Sequence, residues 1–154
     1  MLDFVESRIL GAARPKDQEG GLGSNVPLRD AIHASLPFLE ANFKDQPLTE
    51  ARLRMTIGTS FVYLGQPQLA ENMFQRARQL FESHLGADHP STLSSMSNLA
   101  TCYAQTSRHA EALKLREETW AKRQTILGPD QPDALASDNA VANSYETLGR
   151  SRAA

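Results

Sequence analysis

Asp88 and His89 stand side by side, five residues after His84, and they are the residues of this 154-residue chain whose chemistry most invites a catalytic or metal-binding reading. A carboxylate beside an imidazole can move a proton, and a small hydrolase built on the pair is one reading to test. Two histidines that grip a metal from one helix are four residues apart, or are joined by a cysteine pair. The spacing His84 to His89, with Leu85-Gly86 between, supplies neither. His33 and His109 stand alone. Cys102 is the one cysteine, so there is no disulfide framework. It sits beside Tyr103 in a helical pattern with no His–Asn or His–Asp setting, which reads as a buried thiol rather than a nucleophile. Glu117 and Glu118 follow Arg116 on a charged helix face that reads as solvated. The run Gly20-Gly21-Leu22-Gly23-Ser24-Asn25 lacks the Lys-Ser/Thr of a phosphate-binding loop and follows no strand, so it reads as a connector. These residues imply no catalytic constellation, no metal and no cofactor.

The setting of Asp88 and His89 recurs, and the recurrence explains it. Leu85-Gly86-Ala87-Asp88-His89-Pro90 returns forty-two residues later as Leu127-Gly128-Pro129-Asp130-Gln131-Pro132, and a worn copy stands earlier as Phe43-Lys44-Asp45-Gln46-Pro47. Glycine suits the positive-φ residue that ends a helix, proline suits the first turn of the next, and the aspartate faces the positive end of the new helix. Gln131 replaces His89 in the second copy, so the motif does not depend on the imidazole. A loop signal with a fixed period marks a repeat architecture.

The elements between these loops are helices. Apolar residues at Leu2, Phe4, Val5, Ile9 and Leu10 predict a short amphipathic helix over residues 2–13, followed by the Gly-rich connector over 16–25. A second helix starts near Pro27 with the stripe Leu28, Ala31, Ile32, Ser35, Leu36, Leu39 and Phe43. Pro37 cannot donate to His33, which predicts a kink or a break. Further helices are expected over residues 47–64, 67–85, 90–106, 109–127 and 132–148, the first two with apolar faces that run to Leu64 and Leu85. Nothing alternates with a period of two for long enough to make a strand.

A shift of forty-two residues aligns Ile57-Gly58, Leu99-Ala100 and Val141-Ala142, then Phe61, Tyr103 and Tyr145. Gly65, Ser107 and Gly149 fall at the turn inside each hairpin, and Ala70 matches Ala112. This pattern resembles the tetratricopeptide repeat, and the long period with its Leu-Gly-x-Asp-His-Pro connector is similar to the repeats of kinesin light chains and nephrocystin-like proteins. The runs Ser95-Met96-Ser97-Asn98-Leu99-Ala100 and Glu111-Ala112-Leu113-Lys114-Leu115-Arg116 are similar to repeats that follow a serine/threonine kinase domain in planctomycete-type bacterial proteins. The resemblance implies an all-α, right-handed superhelix of stacked antiparallel helix hairpins, about seven helices in all. Residues 1–46 then hold N-terminal helices with the connector, and 47–154 hold repeats at 47–89, 90–131 and a partial 132–154. The second repeat departs from the first. Arg116 replaces Phe74, and Lys122 and Arg123 replace Leu80 and Phe81, so that helix is expected to be wetter, with Trp120 and Ile126 carrying its burial. The third repeat stops after one helix. Its polar residues fit a solenoid cap, or the chain is an excerpt of a longer array; the stop in mid-repeat favours the excerpt.

Such a fold implies a non-catalytic scaffold whose first helices line a concave, peptide-binding groove, and the resemblance implies a place within a larger bacterial, kinase-associated signalling protein. The stripe expected to face the groove has Arg52, Met55, Thr59 and Tyr63 in the first repeat, Ser94, Ser97, Asn98, Thr101 and Gln105 in the second, and Asn139 and Asn143 in the third. Amides and hydroxyls there could hold an extended peptide backbone. The stripe has one clear cation, Arg52, too few to clamp a C-terminal carboxylate. The alternative is self-association through the last helix, whose apolar side would expose Leu135, Val141, Tyr145 and Leu148. A formal net charge of −2 leaves no basic footprint for nucleic acid and no polybasic patch for a membrane. With no run long enough to cross a bilayer and no basic n-region in the first ten residues, the expected compartment is cytoplasmic.

Overall fold

The computed structural model describes residues 27–149. The helix expected over 2–13, the Gly-rich connector, the residues after Gly149 and the Leu28 side chain lie outside that description. The described residues form seven α-helices and one 3-10 turn, with no strand among them. The helices are α1 (Leu28–Ser35), α2 (Leu39–Phe43), α3 (Pro47–Tyr63), α4 (Pro67–Leu85), α5 (Pro90–Gln105), α6 (His109–Leu127) and α7 (Pro132–Thr147). Each long helix matches its expected span to within one residue, because proline opens four of the five and glycine follows four of the five, Ser107 standing in the turn between α5 and α6. The chain divides into two compact units between Leu53 and Arg54, within α3.

In the first unit the helix expected from Pro27 is broken where Pro37 predicts. The turn Leu36–Phe38 is 3-10, and it separates α1 from α2. Ala31, Ile32, Ser35, Leu39 and Phe43 are buried, as their spacing requires.

In the second unit α5 packs against α4, α6 against α5, and α7 against α6, so consecutive helices stack as hairpins. Two kinds of turn alternate. Within a hairpin the turn is a Schellman motif: Gln66 N–H donates to Phe61 O at 2.8 Å and Gly65 N–H to Val62 O at 3.1 Å, with Gly65 at φ 68°. The next hairpin repeats it with Arg108 to Tyr103 at 2.8 Å and Ser107 to Ala104 at 3.1 Å, although Ser107 must then hold φ 62°. Between hairpins, Gly86 (φ 98°, ψ 161°) and Gly128 (φ 91°, ψ 157°) occupy a region open essentially to glycine alone.

Close approach within the first repeat is set by Gly58. A Cβ there would come within 2.7 Å of the Phe74 ring, so the glycine and the phenylalanine are a matched pair. The second repeat has Ala100, fully buried, in place of Gly58. It has Arg116 in place of Phe74, a flexible chain that can bend where a rigid ring would collide.

The structure corrects several expectations about burial. Leu64 and Leu85, expected on apolar faces, are 47% and 36% exposed; Leu64 lies just past the end of α3 and Leu85 is the last residue of α4. Ile126 is 45% exposed and carries little of the burial of α6. That falls to Ala112, Leu113, Leu115, Thr119 and Arg123, the last of these a buried cation. The solvated second helix was thus the wrong expectation for its arginines. Of the four apolar residues expected to be exposed only Leu135 is openly so; Val141 is buried, and Tyr145 and Leu148 are half-buried. The Tyr145 hydroxyl donates to Glu117 Oε1, so Glu117 is a tie to α7 rather than part of a solvated face.

Candidate functional site

The connector that carries Asp88 and His89 is built for structure. His89 is the N-cap of α5, and its Nδ1 accepts from Ser91 N–H at 3.1 Å. Asp88 turns away and pairs with Lys122 Nζ at 2.6 Å, tying the loop to α6. Thr92 Oγ1 donates to Gly86 O at 2.8 Å and closes the loop from the other side. Nδ1 of His89 and Oδ1 of Asp88 thus serve the loop and its tie to α6 rather than each other. Among the described residues no group of three or more His, Cys, Asp or Glu could hold a metal. Cys102 is fully buried, and desolvation, with Glu71 adding to it, pushes its thiol up to about 11.

A cleft of about 170 Å³ lies between α5, α6 and α7. One wall is Ser97, Asn98 and Thr101 of α5, the other is Ala136, Ser137 and Ala140 of α7, and Arg116, Thr119 and Arg123 of α6 form the floor. The first helices of successive hairpins thus face each other across the second helix of the hairpin between them. Ser97, Asn98 and Thr101 are half-buried there, and Ser97 and Thr101 each donate back to a carbonyl four residues earlier, at 3.2 and 3.1 Å. That bond fixes each hydroxyl rotamer while leaving lone pairs toward the cleft.

The other residues of the expected stripe are not brought together with these. Arg52 is exposed in the first unit. Met55 and Thr59 are half-buried on α3, where Thr59 Oγ1 donates to Met55 O at 2.9 Å. Tyr63 is 86% exposed at the end of α3. Ser94 is half-buried on α5, Gln105 is exposed at its end, and Asn139 and Asn143 are exposed on α7. None of them lines the cleft.

The floor was not anticipated. Arg123 is buried, with Nη1 donating to Ser137 Oγ at 2.7 Å and to Asp133 O at 3.4 Å. Arg116 is half-buried and donates from Nη1 to Ser144 Oγ and to Ala140 O, the latter at 3.3 Å. Ser137 and Ser144 pass their own protons to Asp133 O and Ala140 O at 2.9 and 3.0 Å. The pairs 116 with 144 and 123 with 137 run in opposite directions, the register of antiparallel helices. Burial draws both guanidiniums below their usual range, and Asp133 partly offsets this at Arg123. The sequence did hold the signal: Arg116 aligns with Phe74 and Arg123 with Phe81, both nearly fully buried. Such positions face the neighbouring helix whatever residue occupies them.

At the N-terminal end of α6, Arg108 ties successive hairpins together. Its Nη1 donates to both carboxylate oxygens of Glu71 at 3.0 Å, and its Nε and Nη2 hold Glu111 at 2.9 and 3.1 Å. The guanidinium carbon lies 3.9 Å from the centre of the Tyr103 ring. The Arg108 contact holds the Glu111 carboxyl below its usual range.

Comparisons with known proteins agree with this architecture. A family model described as tetratricopeptide repeat matches residues 49–119. Over 83 residues, 54% of the chain, the sequence is 30% identical to the Arabidopsis thaliana protein kinesin light chain-related 2, and it spans 12% of that protein's length. A Podosopora anserina protein whose crystal structure is described as that of a kinesin light chain with nearly identical TPR-like repeats superposes with a TM-score of 0.61 at 22% identity, over 79% of this chain and 61% of the other. A variant of that protein with one glutamine replaced by methionine gives the same values. At that identity the likeness is one of fold. The stacked hairpins, the Schellman turns and the forty-two-residue period are thus similar to those of proteins with tetratricopeptide repeats of the kinesin-light-chain type, the repeat model itself matching residues 49–119.

Proposed function

We propose that the chain is a non-catalytic scaffold for protein–protein interaction, and that the cleft between α5 and α7 is part of a groove that binds an extended peptide. The observation that carries this is the convergence of Ser97, Asn98 and Thr101 on one wall of a preformed polar cleft. A rigid receptor spends little on its own ordering, so the cost of binding falls on the peptide. Asn98 is the central group: its amide offers both donor and acceptor, the complement of a peptide unit. Repeats at 47–89, 90–131 and 132–154 are the units of this scaffold, and 1–46 precede them. The wider stripe, with Tyr63 as an exposed aromatic and Asn139 and Asn143 as exposed amides, extends the same surface. The resemblance to kinase-linked repeats supports a place in a larger bacterial signalling protein in the cytoplasm. Among the described residues no helix is long and apolar enough to cross a membrane.

Selection from a displayed peptide library tests the reading. Binders should lose about tenfold or more in affinity when Asn98 becomes Ala, the loss expected for one buried hydrogen-bond pair. Binders indifferent to Asn98 and sensitive only to the opposite surface, at Lys114 or Glu118, would sink it. Self-association through α7 has less support, since Leu135 is the one openly exposed large apolar side chain on that helix. A concentration-independent monomer mass by light scattering would remove it.

A further inference from the structure

Arg116 and Arg123 are seven residues apart on α6, so they project from nearly the same face about 10.5 Å apart along its axis. Each spends only Nη1 on the protein, on one serine hydroxyl and one carbonyl. Their Nε and Nη2 groups make no protein hydrogen bond among the described residues. They are not sealed in either, because no buried side-chain nitrogen or oxygen there lacks a partner. The free donors therefore keep access to solvent, and both side chains line the cleft. Among the described residues no carboxylate lines that cleft and none forms an ion pair with either guanidinium; the Asp133 carboxylate acts on Arg123 only through space, its backbone carbonyl being the group that accepts from Nη1. Two desolvated cations without counter-charges are costly to keep, and an arrangement that open-ended is stabilised by an anion.

We propose that this cleft binds a phosphate group, carried as phosphoserine or phosphothreonine on a peptide partner and held between Arg116 and Arg123. The peptide source rests on the groove reading above; the anion site does not. Charge selects phosphate over a single carboxylate. A phosphate monoester carries close to two negative charges at neutral pH and three strong acceptor oxygens, and it answers both guanidiniums where one carboxylate leaves the second uncompensated. Arginine forks suit that recognition. The amide of Asn98 supplies a further donor at the wall, while the hydroxyls of Ser97, Thr101 and Thr119 give their protons to carbonyls of their own helices. The cleft, about 170 Å³, has room for such a group with ordered water.

The full chain, 15N-labelled, is titrated at pH 6.8 and constant ionic strength with inorganic phosphate, with O-phosphoserine, with a phosphoserine nonapeptide and with acetate, while the arginine Nε–H signals are followed. Phosphate should move the Arg116 and Arg123 signals saturably and acetate should not. Lowering the pH to 5.5 should weaken phosphate binding several-fold as the dianion is lost. Arg116→Gln and Arg123→Gln should each weaken it at least tenfold. An acetate response equal to that of phosphate, unchanged affinity in both folded variants, or shifts at other arginines only would each overturn the site. Because a variant could fail to fold, the wild-type signal map decides the matter alone. The phosphopeptide should bind at least tenfold more tightly than O-phosphoserine. Equal affinities would overturn the peptide source and the groove, and would leave the anion pocket standing.

Discussion

The imidazole of His89 acts on its own backbone, and two consequences can be measured. Histidine is not among the favoured N-cap residues, yet Nδ1 takes the Ser91 N–H that an aspartate or serine would ordinarily take. His89→Ala should therefore lose about 1 kcal/mol of stability in urea titrations, while His89→Asp should lose little. The homologous Gln131 makes no side-chain cap bond, so Gln131→Asp should gain a similar increment, about 0.5–1 kcal/mol. Cys102 gives a prediction of another kind. With its thiol pushed up to about 11, roughly a thousandth is thiolate at pH 8 even before steric protection. A disulfide reagent should label the folded protein orders of magnitude more slowly than the urea-unfolded chain. Prompt labelling of the folded form would mean that α5 is not packed as described. The sign follows from burial: a thiol made harder to ionise when folded contributes stability that is lost as the pH rises above its ordinary value of about 8.5.

At the scale of elements, the hairpin turn of the second repeat is the strained copy. Gly65 and Gly149 hold positive φ at no steric cost, whereas Ser107 holds φ 62° with a side chain. Ser107→Gly should stabilise the fold by about 1 kcal/mol, since relief of the left-handed strain outweighs the added freedom of the unfolded chain. A fall in the unfolding midpoint would show that the serine contributes something the backbone geometry hides. Much at this scale was legible in the sequence. Proline and glycine fix helix ends by geometry alone, so the five long helices and the break at Pro37 could be read from residue types. Burial was less legible where helical periodicity treats every charge as solvated. Arg123 lies on the face of α6 that α7 covers, and only alignment with Phe81 would have placed it there. The candidate groove was legible on the α5 side, at Ser97, Asn98 and Thr101. Its floor was not, because it comes from the second helix of a hairpin and from residues whose polarity pointed to water.

Across the second unit as a whole, stacked hairpins make stability a chain of neighbour interactions, each joint contributing its own share. Those shares should be unequal. Phe74 and Phe81 stand buried on α4 where Arg116 and Arg123 stand on α6, so one joint is filled by rings and the next by guanidiniums bonded to Ser137 and Ser144. A buried cation held by neutral hydroxyls recovers less than its desolvation costs. The α6–α7 joint should therefore open before the α4–α5 joint, with backbone amides near Val141 exchanging faster than those near Leu99. Phenylalanine is not the remedy at position 116, since Ala100 already carries the Cβ that a ring under Gly58 would not tolerate. A flexible apolar chain is. Arg116→Met with Ser144→Ala, combined with Arg123→Met and Ser137→Ala, should raise stability by about 1–4 kcal/mol and slow exchange in α7 specifically. Ser137→Val alone should lower it, because Arg123 then keeps its charge and loses the nearer of its two acceptors. The stabilised quadruple variant should also lose its response to phosphate, which would mark the two arginines as residues kept for binding at the expense of the joint they occupy. An unchanged phosphate response in a more stable variant would confine the arginines to packing.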